Sequence, residues 1–198
     1  MNEIVLNGVL KNIEFSHSID GVAFNKADLI CKRSTGQEDI INLRFKAFSN
    51  KYQDNDIVML KGNVRSYSHK TEDNKNKVLI YVFTYFDLPD ESVPNGLTFD
   101  GRICKMNELR KTRSGKQNLH FIVANNLVTS EGGKRLNSYI PCIAWGDIAK
   151  ELSKLPVNTK IVISGELHSR EHTKIHENGQ VEIRVAHEVL VQSFEVVE

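Results

Sequence analysis

The sequence lacks the features of a membrane or secreted protein. No apolar run approaches the roughly 20 residues of a membrane-spanning helix, and the N-terminus, MNEIVLNGVL, has no basic segment followed by an apolar one. We therefore expect a cytoplasmic protein. The three cysteines, Cys31, Cys104 and Cys142, are odd in number, widely separated and surrounded by apolar residues. This argues against a disulfide framework or a zinc site, and we expect buried thiols.

An excess of either charge is also lacking. The chain has 26 lysines and arginines against 25 aspartates and glutamates, a net charge of +1. This excludes a polycation that binds any anion, so a nucleic-acid surface would have to be local. One stretch is basic and contains a single acid, Glu108, among Arg102, Lys105, Arg110, Lys111, Arg113 and Lys116. Taken alone, it fits a solvated face as well as a DNA contact.

The motifs of common enzyme classes are absent. The sequence has no G-x-x-x-x-G-K-[ST] loop, no G-x-S-x-G, no C-x-x-C and no acidic cluster on strands. Residues 168–172 spell H-x-x-E-H, a pattern that converges on zinc only in a helix. Here the pattern follows a strand and precedes Asn178-Gly179, a hairpin signal, so the histidines should lie along a β-hairpin. We expect a protein that is not an enzyme and needs no metal or cofactor.

What the sequence does contain is one pattern of strands twice. Each copy starts with an apolar strand that has an internal glycine, then reaches a turn at Asp20-Gly21 or Ser114-Gly115. Its third strand ends in an alanine-aromatic pair, Ala47-Phe48 or Ala144-Trp145, and its fourth strand again contains a glycine. The matching strands are 4–10 and 97–103, 40–48 and 138–145, 58–66 and 162–169, and 78–86 and 181–194.

Two domains follow from this repeat. Residues 89–96 contain two prolines, acids and a glycine, so we expect a linker between domains at 1–88 and 97–198. The only plausible helix, at 147–155, lies between strands three and four of the second copy. The pattern predicts an all-β chain of two tandem five-stranded OB-fold barrels. An immunoglobulin-like sandwich is the alternative, but it needs about seven strands and no helix there.

The alternation of side chains divides each third strand into two faces. In the first copy, Ile41, Leu43, Phe45 and Ala47 should be buried, whereas Asn42, Arg44, Lys46 and Phe48 should face outward. Aligning the alanine-aromatic pairs then buries Ile140, Cys142 and Ala144, and turns outward Tyr139, Pro141, Ile143 and Trp145.

The second outward face carries a tyrosine and the only tryptophan of the chain. Aromatic rings beside a basic hairpin suit unpaired nucleotides, whose bases stack and whose phosphates attract cations. A tryptophan at a strand end can instead fill a core or an interface.

Residues 97–194 resemble bacterial single-stranded DNA-binding proteins. The matching stretches, in order, are GRI at 101–103, ELRKTRSG at 108–115, FIVA at 121–124, YIPCIAWGDIAK at 139–150 and IVISGELHSR at 161–170. The first copy matches that family weakly, mainly through its glycines and strand order. The resemblance implies an OB fold that coats single-stranded DNA during replication, recombination or repair.

The resemblance also implies roles for particular residues. Bases would stack on Tyr139 and Trp145, and His172 stands where the family often has an aromatic. Residues that contact phosphates or line the groove in the family correspond to Arg102, Arg110, Arg113 and Arg170. The full predicted binding set in the second copy is Tyr139, Trp145, Arg102, Arg110, Lys111, Arg113, Lys116, His120, Arg170 and His172. The repeat adds Arg44, Lys46, Phe48, Arg65 and Tyr67 in the first copy, with His69 equivalent to His172.

Partners are predicted by analogy. Family members usually assemble four OB domains, so two in one chain predict a homodimer. The family's acidic tail has no counterpart in the ending SFEVVE, which argues against tail-mediated recruitment of replication enzymes and fits a phage or mobile element. Two other functions stay open: binding of RNA by the same face, and a protein-interaction module such as a primosome adaptor.

Overall fold

A computed structural model describes residues 1–47, 51–70, 76–85, 95–128, 135–175 and 181–197. Within these ranges the chain is nearly all-β, as the sequence predicts, and it has eleven strands and one helix. The elements are β1 (Asn2–Ile19), β2 (Val22–Lys32), β3 (Glu38–Lys46), β4 (Ile57–Lys70), β5 (Asn76–Thr84), β6 (Leu97–Met106), β7 (Arg110–Lys111), β8 (Gln117–Val128), β9 (Arg135–Trp145), α1 (Gly146–Leu152), β10 (Lys160–Ile175) and β11 (Val181–Val196).

The strands pair in the same order in both halves. In the first half, β1 pairs with β2 and β4, β2 with β3, and β5 with β4 and, in parallel, with β3. In the second half, β6 pairs with β8 and β10, β8 with β9, and β11 with β10 and, in parallel, with β9. The internal repeat therefore extends to the strand pairing. The short strand β7, which pairs with β8, is additional to the predicted strands.

The helix α1 follows the third strand of the second half, where it was predicted, but ends three residues earlier. Its Ala149 and Leu152 side chains are buried. In the described ranges no helix is long and apolar enough to cross a membrane.

The third strands bury the face that alternation predicts. Six side chains, those of Ile41, Leu43, Phe45, Ile140, Cys142 and Ala144, are at most 2% exposed. Two predictions were wrong. Ala47 is exposed because β3 ends at Lys46. Ile143 is only 7% exposed because it lies between His120 of β8 and Leu190 of β11.

The alignment of the two alanine-aromatic pairs was also wrong, by two residues. In the parallel ladders Leu43 pairs with Val82, and Cys142 pairs with Val189. These two pairs occupy the same position in their own halves. Counting along the strands from Leu43 and Cys142, the first-half counterpart of Trp145 is therefore Lys46 rather than Phe48. A shift of two residues preserves the face of every side chain, which is why the three core residues transferred to the second half, Ile140, Cys142 and Ala144, were predicted correctly.

The cysteines are free, but only two of the three are buried. Burial, together with the nearby Asp39 carboxylate, raises the pKa of the Cys31 thiol to about 12. Burial also raises the pKa of Cys142. Cys104 is exposed, against the prediction, and its thiol donates to the carbonyl oxygen of Ile122.

A ladder between the first strands of the two halves joins them into one sheet. In this ladder Asn2 pairs with Phe99, and Ile4 with Leu97. The Asn2 side chain is buried, donates to the Val64 carbonyl at 2.7 Å and to the Asn125 side chain at 2.8 Å, and accepts from the Val64 N–H. Buried polar groups of this kind are costly unless paired, so the bond from Asn2 to Asn125, which joins the two halves, favours this arrangement.

Two equivalent serines make equivalent bonds across the junction. Ser66 Oγ accepts from the Tyr139 N–H at 2.7 Å, and Ser169 Oγ accepts from the Ile40 N–H at 2.8 Å. The Ser66 N–H in turn donates to Ser138 Oγ, and the Ser169 N–H to Asp39 Oδ1. Each half thus gives the other the same contact, as in an isologous dimer interface.

One of these two equivalent contacts contains a charged residue. Asp39 is fully buried and accepts hydrogen bonds from Arg33 Nε at 2.7 Å and Nη2 at 2.5 Å. Arg33 also donates to the Ser169 carbonyl, and His187 Nε2 donates to the Ile40 carbonyl. Burial alone would raise the pKa of Asp39, but Arg33 and the Ser169 N–H outweigh it and hold that pKa below its usual value.

Gly165 provides a test of close strand packing. It lies at a register shift in β10, and a Cβ there would be 2.1 Å from the Leu190 carbonyl oxygen. Because that oxygen belongs to the backbone, β11 would have to move. We expect Gly165→Ala to lower the free energy of unfolding by about 1–3 kcal/mol or more in urea titrations. Ser193→Ala, at an exposed position of β11, should change it by less than about 0.5 kcal/mol. Equal values for the two variants would contradict this prediction.

The stability that the Asp39 contact provides should be lost in acid. Because the folded state lowers the pKa of Asp39, the carboxylate stabilises the fold above its usual pKa of about 3.9, and this contribution is lost as the pH falls through the folded value. We expect Asp39→Asn to cost about 2–5 kcal/mol near pH 7, since Arg33 loses its charged partner. In denaturant titrations, the difference in the free energy of unfolding between wild type and Asp39→Asn should become smaller below about pH 4. The control is Glu38→Gln, which changes the exposed neighbour of Asp39. If the difference in stability between wild type and Asp39→Asn did not depend on pH, this role of Asp39 would be refuted.

Candidate nucleic-acid interface

The outward side of β9 forms one face with its neighbouring strands. Residues directly opposite each other in antiparallel strands share a face. Tyr139 lies opposite Ala124, which is opposite Arg102, and Trp145 lies opposite Asn118, which is opposite Arg110. We call this surface the β9 face; its members are Arg102, Lys105, Arg110, Asn118, His120, Ile122, Ala124, Tyr139, Pro141 and Trp145.

Its two aromatic residues lie at opposite ends of the β9 face. Tyr139 is 51% exposed, and its backbone is held by the bond to Ser66. Trp145 is partly exposed, and the Lys116 ammonium lies 5.1 Å from its ring centroid. Asn118 lies between Trp145 and Arg110, and its buried Oδ1 has no hydrogen-bond partner among the described residues. A ring, a cation and a polar side chain therefore lie side by side.

Cations lie at both ends of the β9 face, with Arg102 near Tyr139 and the others near Trp145. The side chains of Arg102, Arg110, Lys111, Arg113 and Lys116 are all at least partly exposed, and none forms an ion pair with an acid in the described part of the chain. Backbone bonds from Thr112 to Lys116 and from Gly115 to Thr112 close the hairpin that carries most of them. These charges are available to an anionic ligand.

A shallow depression of about 130 Å³ lies between the two aromatics, lined by Lys105, Asn107, His120, Ile122 and Pro141 among others. His120 is less available than predicted, because its Nδ1 lies 3.7 Å from the Glu188 carboxylate. The depression therefore combines an apolar floor with one cation at its rim.

The remaining second-half predictions lie on the hairpin of β10 and β11. Arg170 is exposed and opposite Ala186, beyond the β9–β11 ladder. His172 lies opposite Arg184, but its side chain falls outside the described residues. The H-x-x-E-H stretch lies on strand β10, as predicted, and His168 Nε2 bonds to Glu166 at 2.9 Å.

In the first half, the structure places Arg44 and Arg65 on aromatic rings that the sequence analysis missed. Arg44 lies 5.9 Å from the Tyr81 ring centroid, and Arg65 lies 4.3 Å from that of Phe83. Tyr67 is 58% exposed and Lys46 partly exposed, whereas Phe48 lies outside the described residues. Alternation along β5, which turns Tyr81 and Phe83 outward, was the signal that would have found these rings.

Three comparisons bear on the family. The sequence profile of the Single-strand binding protein family matches residues 94–197. The chain is similar to the wild-type single-stranded DNA-binding protein from Thermus aquaticus, with 16% identity, a TM-score of 0.72 and coverage of 100% of this chain and 93% of that one. For a deletion mutant of that protein the values are 16%, 0.73, 100% and 95%. At such identities the structural likeness shows the fold alone.

No curated protein sequence matches the chain. The family profile, however, covers more than half of the residues. The chain therefore belongs to the single-strand binding protein family.

Proposed function

We propose that this protein coats single-stranded DNA without catalysing a reaction on it, in replication, recombination or repair. The observation that carries the proposal is the β9 face, where Tyr139 and Trp145 lie beside exposed cations that have no acidic partner among the described residues. Aromatic rings stack on any base, and cations bind any phosphate, so this surface needs no particular sequence.

The division of the chain supports this function. We propose an OB-fold barrel in each half, with domains at 1–88 and 97–198 and a linker at 89–96. The repeated strand pairing supports this, although β7 adds a strand to the second half. A homodimer in the cytoplasm would bring four OB folds together, which stays a prediction.

Stacking at Tyr139 can be tested through the only tryptophan. Oligo-dT should quench Trp145 fluorescence. At low salt the quenching should saturate at a fixed ratio of nucleotides to protein, and added salt should reverse it. Tyr139→Ala should weaken binding by about 1–3 kcal/mol, the usual contribution of one stacked base. Tyr139→Phe keeps the ring and should bind as the wild type does. The stacking role fails if both variants bind equally well.

The same titration separates the rival functions. Oligo-dT and oligo-U compared at one length show whether DNA or RNA is preferred. Neither quenching nor gel retardation with either polymer would overturn nucleic-acid binding and favour a protein-interaction module.

Salt dependence tests the basic hairpin. Replacing Arg110 and Arg113 by Gln should flatten the plot of log affinity against log salt by about 0.7 for each phosphate that the variant no longer neutralises, because fewer counterions are released. The charge-matched control is Lys32→Gln with Lys154→Gln, both exposed and outside the β9 face. An equal change of slope in the control would show an effect of net charge alone.

A further inference from the structure

The end of β9 that carries Tyr139 lies against the first half of the chain. Strand β9 pairs with β8 along its whole length, but with β11 only at Cys142 and Ile143. At Tyr139, which precedes both, the edge of β9 away from β8 has no ladder partner in the described part of the chain. Strand β4 of the first half reaches this edge instead, through Ser66.

Ser66 satisfies a backbone group that the ladders of the described residues leave unpaired. Its Oγ accepts from the Tyr139 N–H at 2.7 Å, and its own N–H donates to Ser138 Oγ at 3.3 Å. Ser138 is buried and Ser66 is partly buried. A backbone N–H without an acceptor is costly where water is largely excluded. These two bonds therefore hold the backbone at Tyr139 in a fixed position relative to β4.

The Tyr139 ring depends on this backbone for its own position. The side chain is half exposed, and no ring or cation contact fixes it among the residues that the structure describes. Its nearest cross-strand neighbour on the β9 face is Ala124, whose short side chain gives little support. Trp145 differs, because the Lys116 ammonium lies against its ring and α1 begins at the next residue.

The equivalent bond in the first half holds no aromatic residue. The parallel ladders align Ile40 with Tyr139, and Ser169 Oγ accepts from the Ile40 N–H at 2.8 Å. The repeat thus contains the same bond twice, once at an aliphatic residue and once at the tyrosine of the β9 face. Ser169 is therefore a matched control for Ser66, with the same chemistry at the same junction.

We infer that Ser66 is a positioning residue for single-stranded DNA bound on the β9 face of the other half. By holding the Tyr139 backbone, Ser66 keeps the ring where a base can stack on it, and stacking depends on the offset and tilt of the two rings. The inference rests on the proposed function, since it assigns a further residue to the same site. It adds that the first half contributes to the binding of an oligomer that contacts the β9 face alone.

The test titrates Trp145 fluorescence with oligo-dT just long enough to quench it. Ser66→Ala should lower the affinity by about threefold to tenfold, a part of the loss expected when Tyr139→Ala removes the whole ring. Ser66→Thr keeps the hydroxyl acceptor and should bind as the wild type does. Wild-type affinity in Ser66→Ala would overturn the inference.

The control variant is Ser169→Ala. It removes the equivalent acceptor and also a bond from the hydroxyl to Asp39, so it should destabilise the protein at least as much as Ser66→Ala does. Its affinity for the short oligomer should nevertheless equal that of the wild type. Equal losses of affinity in the two alanine variants would show an effect of the weakened junction as a whole and would overturn the specific role of Ser66.

A double-mutant cycle separates positioning from any other effect on binding. In the Tyr139→Ala background, Ser66→Ala should cause no further loss of affinity, because no ring is left to position. If the losses of the two single variants add up in the double variant, Ser66 acts by a route that does not involve the ring, and the inference fails.

The remaining outcomes are distinguishable. If Ser66→Ala does not fold, which thermal unfolding would show, Ser66→Cys takes its place, since a thiol has a similar size but is a weak acceptor. Ser66→Cys should bind less tightly than Ser66→Thr, and equal affinities would overturn the inference. No binding of oligo-dT by the wild type at any length would overturn the proposed function itself.

Discussion

The ladder between β1 and β6 is the contact on which the arrangement of the two halves depends. It places Ile4 opposite Leu97, two residues that occupy the same position in their own halves. A contact between equivalent residues lets contacts across the junction occur in pairs with exchanged roles. The reciprocal bonds of Ser66 and Ser169 follow from that geometry. Tyr139 is positioned by one of these bonds, so the β9 face is tied directly to the junction.

The junction is symmetric in its backbone but not in its side chains. Ser138 on one side corresponds to Asp39 on the other, where Arg33 and His187 complete a buried polar cluster. Burial lowers the pKa of His187, although its bond to Ile40 opposes that effect. A neutral imidazole beside a buried ion pair keeps this cluster satisfied near neutral pH. Covalent linkage holds the two halves at a high effective concentration. The two equivalent contacts of the junction can therefore differ, with the polar cluster at one and only the two serines at the other.

The sequence predicts most of the fold because period-two alternation and strand-ending signals are local properties. Residues such as Ile140, Cys142 and Ala144 alternate so strictly that even an alignment wrong by two residues leaves them buried. Ile143 could not be predicted, because its burial depends on β11, which is distant in sequence. The rings of Phe24 and Phe83 meet for the same reason: they come together only through the parallel ladder of β3 and β5. The predicted residues Phe48 and His172 stay predictions, since the structure does not describe their side chains.

The outward faces of the two halves carry aromatic rings on different strands, and this difference has a consequence for polarity. Two identical halves related by a two-fold axis would meet a nucleic-acid strand equivalently in either orientation. Here one half offers rings on β9, and the other offers rings on β2 and β5. For a strand that spans both, the complex with its 5′ part on the first half differs from the complex with its 5′ part on the second. Such a complex has a direction, which two identical halves could not give it.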